Sequence, residues 1–158
     1  MSEGGGWPVV REILVVPNPV LRKKARPVEK ITKKTLRILQ DMAETMYASN
    51  GVGLAAPQIG ISERLITVDA GDGLLALINP VLVATAGRER DVEGCLSIPG
   101  QSGYVTRAAR VVVEGLDPEG RAKRIEAEGL LARALQHEID HLDGILYIDH
   151  IKDGEEAK

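Results

Sequence analysis

The segment that most constrains the fold of this chain is Gln136-His137-Glu138-Ile139-Asp140-His141. On an α-helix, residues four apart lie one turn above each other on the same face, so the imidazoles of His137 and His141 can reach one metal ion. Glu138 lies about 100° around the helix from His137, close enough to reach a water molecule at that ion without binding the ion itself. The segment therefore predicts a helix that carries a metal site, with Glu138 as a general base.

A histidine pair with a glutamate also occurs by chance on solvated helices, so the neighbouring residues must decide between the two interpretations. One helical stripe joins the histidines to apolar residues at spacings of four, three and four: Leu130, Ala134, His137 and His141. A stripe that is apolar apart from its histidines predicts that both imidazoles point into the protein. The helix is expected to begin near Gly129 and to end at Gly144.

Cys95 is the only cysteine in the chain, which excludes an internal disulfide. A single cysteine is a buried small hydrophobe, a nucleophile or a metal ligand. Because the chain already holds a histidine pair, we expect Cys95 to complete a three-ligand site with His137 and His141, leaving one position open for water as in catalytic sites. A structural site would need a fourth ligand, for which His150 is the remaining histidine.

Length, composition and charge limit the kind of protein. With 158 residues and 17.0 kDa, the chain can form one domain with a buried core. A net charge of −3 and few aromatic residues give neither a basic footprint nor stacking platforms, so we expect no direct nucleic-acid binding. No apolar run reaches the ~18 residues needed to span a bilayer, and no signal peptide is evident. We therefore expect a cytoplasmic protein that does not bind membranes.

Periodicity and turn residues predict the remaining elements of one domain over residues 1–158. An amphipathic helix is expected from about Lys33 to Ser49, with Thr32 as its N-cap. A frayed glycine-rich N-terminus is expected at 1–7 and a charged tail at 152–158. Residues 93–100 follow a charged loop and are expected to end in a turn at Pro99-Gly100. Apolar runs bounded by turn residues predict one hairpin of 64–69 with 74–83 and a second hairpin of 110–116 with 122–127. A last short strand is predicted at 147–151.

Three motifs follow one another along the chain. Gly51-Val52-Gly53-Leu54-Ala55-Ala56-Pro57-Gln58 has the form GxGxAAxQ, residues 93–97 read EGCLS, and residues 136–141 have the form QHExxH. By itself the first motif indicates only a helix-to-strand turn, in which glycines allow a close approach of other backbone. In this order and spacing, however, the three motifs closely resemble those of the peptide deformylases, and the resemblance extends to about Ile151.

The resemblance implies an α+β fold, in which antiparallel or mixed β-sheets pack around a central helix that carries the HExxH histidines, with an amphipathic helix near the N-terminus. It also implies a metal-dependent hydrolase that removes the formyl group from the N-terminal formyl-methionine of newly made polypeptides and releases formate. One alternative is an HExxH metallopeptidase that cuts peptide bonds, but such enzymes usually take their third ligand downstream of the helix. The other is a non-catalytic zinc module, which would need a fourth ligand.

The family pattern assigns further residues to the reaction. The side-chain amide of Gln58 and the backbone N–H of Leu96 are expected to stabilise the charge that develops on the formyl oxygen. The peptide is expected to lie as an added strand beside residues 51–53. Arg107 is the expected partner of Glu93. The substrate site is assigned to Val52, Gly53, Glu93, Leu130 and Ala134.

The resemblance also bears on the ion and the partners. A thiolate with two imidazoles suits zinc, whereas the family natively uses ferrous iron, so we expect one Fe²⁺ per chain, with Zn²⁺ or Ni²⁺ able to substitute. The expected partners are N-formyl-methionyl nascent peptides and the ribosome near its exit tunnel. Two departures from the family pattern concern these partners. Many bacterial members carry a C-terminal helix that is credited with ribosome docking, and this chain has residues 152–158 at that place. Some members carry an arginine where this chain has Ser102.

Overall fold

The computed structural model describes residues 8–151 and 156–157. The frayed terminus predicted at 1–7 lies outside these residues, as does the predicted charged tail apart from 156–157. Within the described residues, two α-helices, two antiparallel sheets and three short 3-10 turns form the α+β architecture that the sequence predicts. No helix among them is both long and apolar enough to cross a membrane.

Helix α1 spans Lys33–Ala48, which confirms the predicted amphipathic helix. The Thr32 hydroxyl accepts the backbone N–H of Thr35, and the Thr35 hydroxyl accepts that of Thr32, so two N–H groups at the helix end find partners. At the other end Asn50 adopts the left-handed conformation with φ 55°, which stops the helix. The apolar face of α1 packs into a core that includes Ile38, Leu39, Met42, Met46, Leu54, Leu65 and Ile78.

Eight strands within the described residues form a larger and a smaller sheet. They are β1 (Gly53–Ala55), β2 (Leu65–Val68), β3 (Leu75–Ala86), β4 (Glu89–Cys95), β5 (Ile98–Arg107), β6 (Arg110–Leu116), β7 (Ala122–Glu128) and β8 (Glu156–Ala157). The larger sheet has the order β1-β2-β3-β6-β7, with every neighbouring pair antiparallel. The predicted hairpins β2-β3 and β6-β7 are thus confirmed. Because β1 is an edge strand among the described residues, one side of it has no strand partner there.

The smaller sheet, β4-β5-β8, contains a hairpin that the sequence did not predict. The charged segment taken for a loop is β4, and Pro99-Gly100 lies within β5 rather than in a turn. The prediction was wrong because most of β4 is exposed, so the alternation of apolar and polar residues that marks a half-buried strand is missing. The pairing of β4 with β5 is irregular between Glu93 and Cys95, and such irregularities redirect side chains.

Helix α2 spans Gly129–Leu142, which confirms the predicted helix. It ends where Gly144, with φ 73°, donates its N–H to the carbonyl of His141 at 3.1 Å. The buried face of α2 packs against the larger sheet, in a core that includes Ile66, Val68, Leu77, Val111, Val113, Leu135, Ile139 and Leu142. The histidine-bearing helix is therefore held by the larger sheet.

The strand predicted at 147–151 is wrong, because Tyr147–His150 form a 3-10 turn. The Asp149 carboxylate accepts the backbone N–H of Leu146 at 3.0 Å, and such a side-chain bond favours a helical turn over an extended strand. Tyr147 is buried against residues of the smaller sheet. The apolar residues that suggested a strand therefore anchor a turn instead.

Candidate metal centre and active site

Cys95, His137 and His141 come together where β4 ends beside α2. One ligand atom of each lies within 4.8 Å of the other two, and Cys95 Sγ is 3.3 Å from His141 Nε2. Both histidines are buried, because their stripe on α2 faces the interior. The cluster offers one thiolate and two imidazoles, a donor set that divalent transition metals bind.

His150 lies outside this cluster. Its Nε2 is 2.9 Å from Asp140 Oδ2. Within the described part of the chain, the cluster comprises one cysteine and two histidines, so it lacks the fourth protein ligand that a structural zinc site needs. Three protein donors match the number that a catalytic metal site takes from the protein.

The two histidines of the cluster have opposite pKa shifts. Burial by itself lowers the pKa of His137, but the neighbouring Cys95, Glu138 and Glu93 raise it to about 10. Burial, together with the positive charges of His137 and Arg107, holds the pKa of His141 well below its usual range. His141 is therefore a neutral imidazole, as metal binding requires, whereas His137 holds a proton that a metal ion would replace. Since the anionic groups also stabilise a cation at this point, the residues fit a divalent metal ion.

Glu93 orients His137. Glu93 Oε1 lies 2.9 Å from His137 Nδ1, so Nδ1–H donates to the carboxylate and Nε2 is left to bind a metal. The predicted partner Arg107 is present, with Nε 2.5 Å from Oε2 and Nη2 2.9 Å from Oε1. Burial alone raises the pKa of Glu93, but the bonds from His137 and Arg107 lower it to about 2. Glu93 is therefore ionised and fully engaged within the protein.

Glu138 is buried beside the ligands, and its Oε1 makes no hydrogen bond to any described residue. Burial raises the pKa of Glu138 to about 7, against the lowering effect of His137 and Arg107. A carboxyl group that titrates near neutrality can both take and return a proton. A buried oxygen without a partner costs free energy, which indicates that a polar molecule binds there.

Gln58 and Leu96 flank the ligands. Gln58 Oε1 accepts the N–H of Ala55 at 2.9 Å, so Gln58 Nε2 points towards Cys95 Sγ at 3.7 Å and Ser97 Oγ at 3.1 Å. The Leu96 N–H lies in the turn after β4 and has no hydrogen-bond partner among the described residues. The site thus holds two N–H donors of the kind that stabilise a developing oxyanion.

A cavity of about 470 Å³ opens beside the cluster. It runs between residues 51–53 at the edge of the larger sheet and the hairpin of β4 and β5. Leu130 is 54% exposed, so the inward-facing stripe of α2 begins at Ala134 rather than one turn earlier as predicted. The cavity is lined by all the residues assigned to the substrate, Val52, Gly53, Glu93, Leu130 and Ala134.

Comparison with known proteins decides which family this site belongs to. The family model of polypeptide deformylase matches residues 10–157. The chain belongs to the polypeptide deformylase family. Members of this family are metal-dependent hydrolases that remove the formyl group from N-terminal formyl-methionine. This family membership confirms the predicted enzyme class, and the Cys/His cluster agrees with a metal-dependent enzyme.

Related sequences and structures agree with this family. The chain is 57% identical over 144 residues to the peptide deformylase of Halothermothrix orenii, covering 90% of this chain and 94% of the relative. Against the crystal structure of the Legionella pneumophila peptide deformylase the TM-score is 0.89 at 44% identity, covering 92% of this chain and 88% of the other. For the Thermotoga maritima peptide deformylase the TM-score is 0.88 at 43% identity, with 90% and 98% covered. These structures confirm the predicted fold class.

Sequence reasoning missed two residues of the site. Ser97 accepts a hydrogen bond from Gln58, although it lies within a motif that was recognised. Arg133 donates to Glu93 Oε2 at 2.6 Å. An arginine between Ala132 and Ala134, in an otherwise apolar stretch of the helix, was the available signal, because an arginine that is buried requires an anionic partner.

Proposed function

We propose that this protein is a peptide deformylase whose metal ion is held by Cys95, His137 and His141. The observation that carries the proposal is that Cys95 and His137 of this cluster line the same cavity as Glu138, whose Oε1 has no partner among the described residues. When bound, a divalent ion supplies the Lewis acidity that activates water near neutral pH. We propose one ferrous ion per chain from the family resemblance, with zinc or nickel able to substitute.

Glu138 moves the proton in this mechanism. Its Oε1 has no partner among the described residues and is free to accept a proton from the attacking water. The pKa of about 7 lets the same carboxyl return that proton to the leaving amine of the peptide. One side chain can therefore act as base and then as acid.

Gln58 Nε2 and the Leu96 N–H bind the formyl oxygen as negative charge develops on it. The amide of Gln58 is oriented before substrate arrives, because Ala55 N–H holds its Oε1. The position of the Leu96 N–H is set by the turn between β4 and β5. Donors that are already in place need no reorganisation during the reaction, and this is the source of their effect.

The peptide is proposed to pair with the free edge of β1. Gly53 leaves the backbone of this edge accessible, and the methionine side chain lies among Val52, Leu130 and Ala134, which line the same cavity. Glu93 was assigned to the substrate, but its carboxylate is engaged by His137 and two arginines. We therefore assign Glu93 to the orientation of His137.

The site of action follows from the substrate. Formylated chains are made in the cytoplasm, so we infer that the enzyme works there, on peptides that have just left the ribosome. The ribosome near its exit tunnel is accordingly the proposed place of encounter.

Selectivity between acyl groups tests the function. A formyl carbonyl carries only hydrogen on its far side, whereas the methyl of an acetyl group would collide with the groups around the oxygen and misplace the carbonyl. Small misplacements cost on the order of a hundredfold. We expect rapid turnover of formyl-Met-Ala-Ser, turnover of acetyl-Met-Ala-Ser slower by about that factor or more, and no cleavage of internal peptide bonds.

Removal and return of the metal supplies the control for this experiment. Activity should disappear after chelation and return with Fe²⁺, Ni²⁺ or Zn²⁺. Comparable rates on the formyl and acetyl peptides, or fragments from an unblocked peptide, would show that the enzyme is not a deformylase.

A further inference from the structure

The residues proposed as metal ligands come from two parts of the fold whose backbones approach each other at few points. His137 and His141 lie on α2, which packs along the larger sheet, whereas Cys95 ends a strand of the hairpin β4-β5. The backbone of α2 approaches the larger sheet at many points but approaches this hairpin at few. The spacing between the thiolate and the imidazoles therefore depends on side chains that connect the helix to the hairpin.

Arg133 makes three connections of this kind. From α2, its Nη1 donates to Glu93 Oε2 at 2.6 Å and to the Val105 carbonyl at 3.0 Å, and its Nη2 donates to the Glu89 carbonyl at 2.8 Å. Glu89 and Glu93 belong to β4, and Val105 belongs to β5. One guanidinium thus holds both strands of the hairpin against the helix, and only 7% of the residue is exposed.

Arg133 also completes the bonding of Glu93. His137 and Arg107 provide three hydrogen bonds to this carboxylate, and Arg133 provides the fourth, on Oε2. With Oε2 held by two arginines, Oε1 stays directed at His137 Nδ1. Partners that orient a ligating histidine in this way set its ring position and affect metal affinity.

We propose that Arg133 is a positioning residue of the metal centre, which fastens the Cys95 hairpin to the histidine helix and holds Glu93 against His137. This proposal rests on the proposed function, since it requires that the cluster binds a metal ion. Arg107 also joins the hairpin to α2, through Asp140 at 2.9 Å. It reaches neither the Glu89 carbonyl nor the Val105 carbonyl, however, so it does not replace the connections made by Arg133.

Metal binding by the full chain tests the proposal. Co²⁺ serves as the probe, because its affinity is measurable by competition with a chelator and its absorption reports the thiolate ligand. Arg133→Met keeps an apolar stem of similar length and removes all three connections. We expect Co²⁺ affinity to fall by roughly 10- to 100-fold, with a changed thiolate absorption band.

Arg11→Met is the matched control. Arg11 pairs with the buried Asp41 at 2.8 Å, so its loss also leaves a buried carboxylate short of a partner, but on α1 and away from the ligands. This variant should unfold at a lower temperature while its Co²⁺ affinity and spectrum stay as in the parent. The comparison separates loss of general stability from loss of ligand positioning.

Two further variants make the result decisive. Arg133→Lys keeps a cation, but its single nitrogen cannot occupy the positions of both Nη1 and Nη2, so it should bind Co²⁺ with intermediate affinity even if Arg133→Met fails to fold. When a substitution of Arg133 is combined with Glu93→Gln, the loss of Co²⁺ affinity should be less than the sum of the two single losses, because both residues act on His137. Parental affinity and spectrum in Arg133→Met, or in Arg133→Lys if only that variant folds, would overturn the proposal. Absence of Co²⁺ binding by the parent chain would instead overturn the metal-dependent function itself.

Discussion

The carboxylate of Glu138 lies directly against the backbone of Gly53. A Cβ atom placed on Gly53 would stand 2.6 Å from Glu138 Oε2 and 2.8 Å from Glu138 Cγ, closer than non-bonded atoms approach. The lack of a side chain at position 53 is therefore what allows the α2 carboxylate to sit beside the edge strand. The absence of a side chain at Gly53 also leaves the backbone of β1 open to the substrate.

Gly53→Ala should displace the Glu138 carboxylate and lower kcat by roughly a hundredfold, because small shifts of a catalytic group cost about that much. The metal content should stay as in the parent, since the three atoms nearest the added methyl all belong to Glu138. Val52→Ala is the comparison, and its smaller side chain should change KM for methionine-containing peptides more than kcat. A parental kcat in Gly53→Ala would show that this contact does not position Glu138.

Glu138→Gln should keep the fold and the metal but lose activity by a factor on the order of 10²–10⁴, because an amide cannot accept the proton of the attacking water. Turnover measured alongside metal analysis checks this expectation. Near-normal activity in a fully loaded variant would remove Glu138 from the mechanism.

Cys95 should make the iron enzyme fragile in air, since a thiolate and a ferrous ion both oxidise. The nickel enzyme should last longer, because nickel keeps its oxidation state under the same conditions. Activity followed over time in air, with matched protein and peptide concentrations, measures the two half-lives. Equal half-lives would count against the assignment of an iron–thiolate centre.

Asp149 should make stability depend on pH in the acid range. Hydrogen bonds from Arg22, and to a lesser extent from the Leu146 N–H, lower the pKa of Asp149. A carboxylate with a lower pKa in the folded state stabilises the fold above its unfolded pKa, and this contribution is lost as the pH falls through the folded pKa. Asp149→Asn should therefore have a smaller free energy of unfolding at neutral pH and approach the parent at acid pH.

The size of this effect is limited by exposure. The side chains of Arg22 and Asp149 are 48% and 37% exposed, so the difference at neutral pH should not exceed ~1 kcal/mol. Urea unfolding of parent and variant across the acid range measures it. A difference that stays constant with pH would show that Asp149 acts through the shape of the turn rather than through its charge.

The sequence by itself determined the elements whose evidence is local. Capping by Thr32, the apolar stripe of α1 and the turn residues of two hairpins lie within a few positions of the structures they specify. The grouping of Cys95, His137 and His141 was also predictable, because the two histidines are one helical turn apart and the chain offers a single cysteine. Three motifs in family order then indicated the reaction.

Tertiary structure alone decided how these parts are held together. The hairpin β4-β5 has no apolar alternation to reveal it, and the orientation of Gln58 depends on backbone and side chains brought together by folding. Arg133 and Glu93 are 40 positions apart, and nothing in the sequence near either residue names its partner. Such contacts exist only after two sheets and a helix have packed, so the fit of Glu138 against Gly53 and the fastening of Cys95 to the histidines follow from the fold and not from any local pattern.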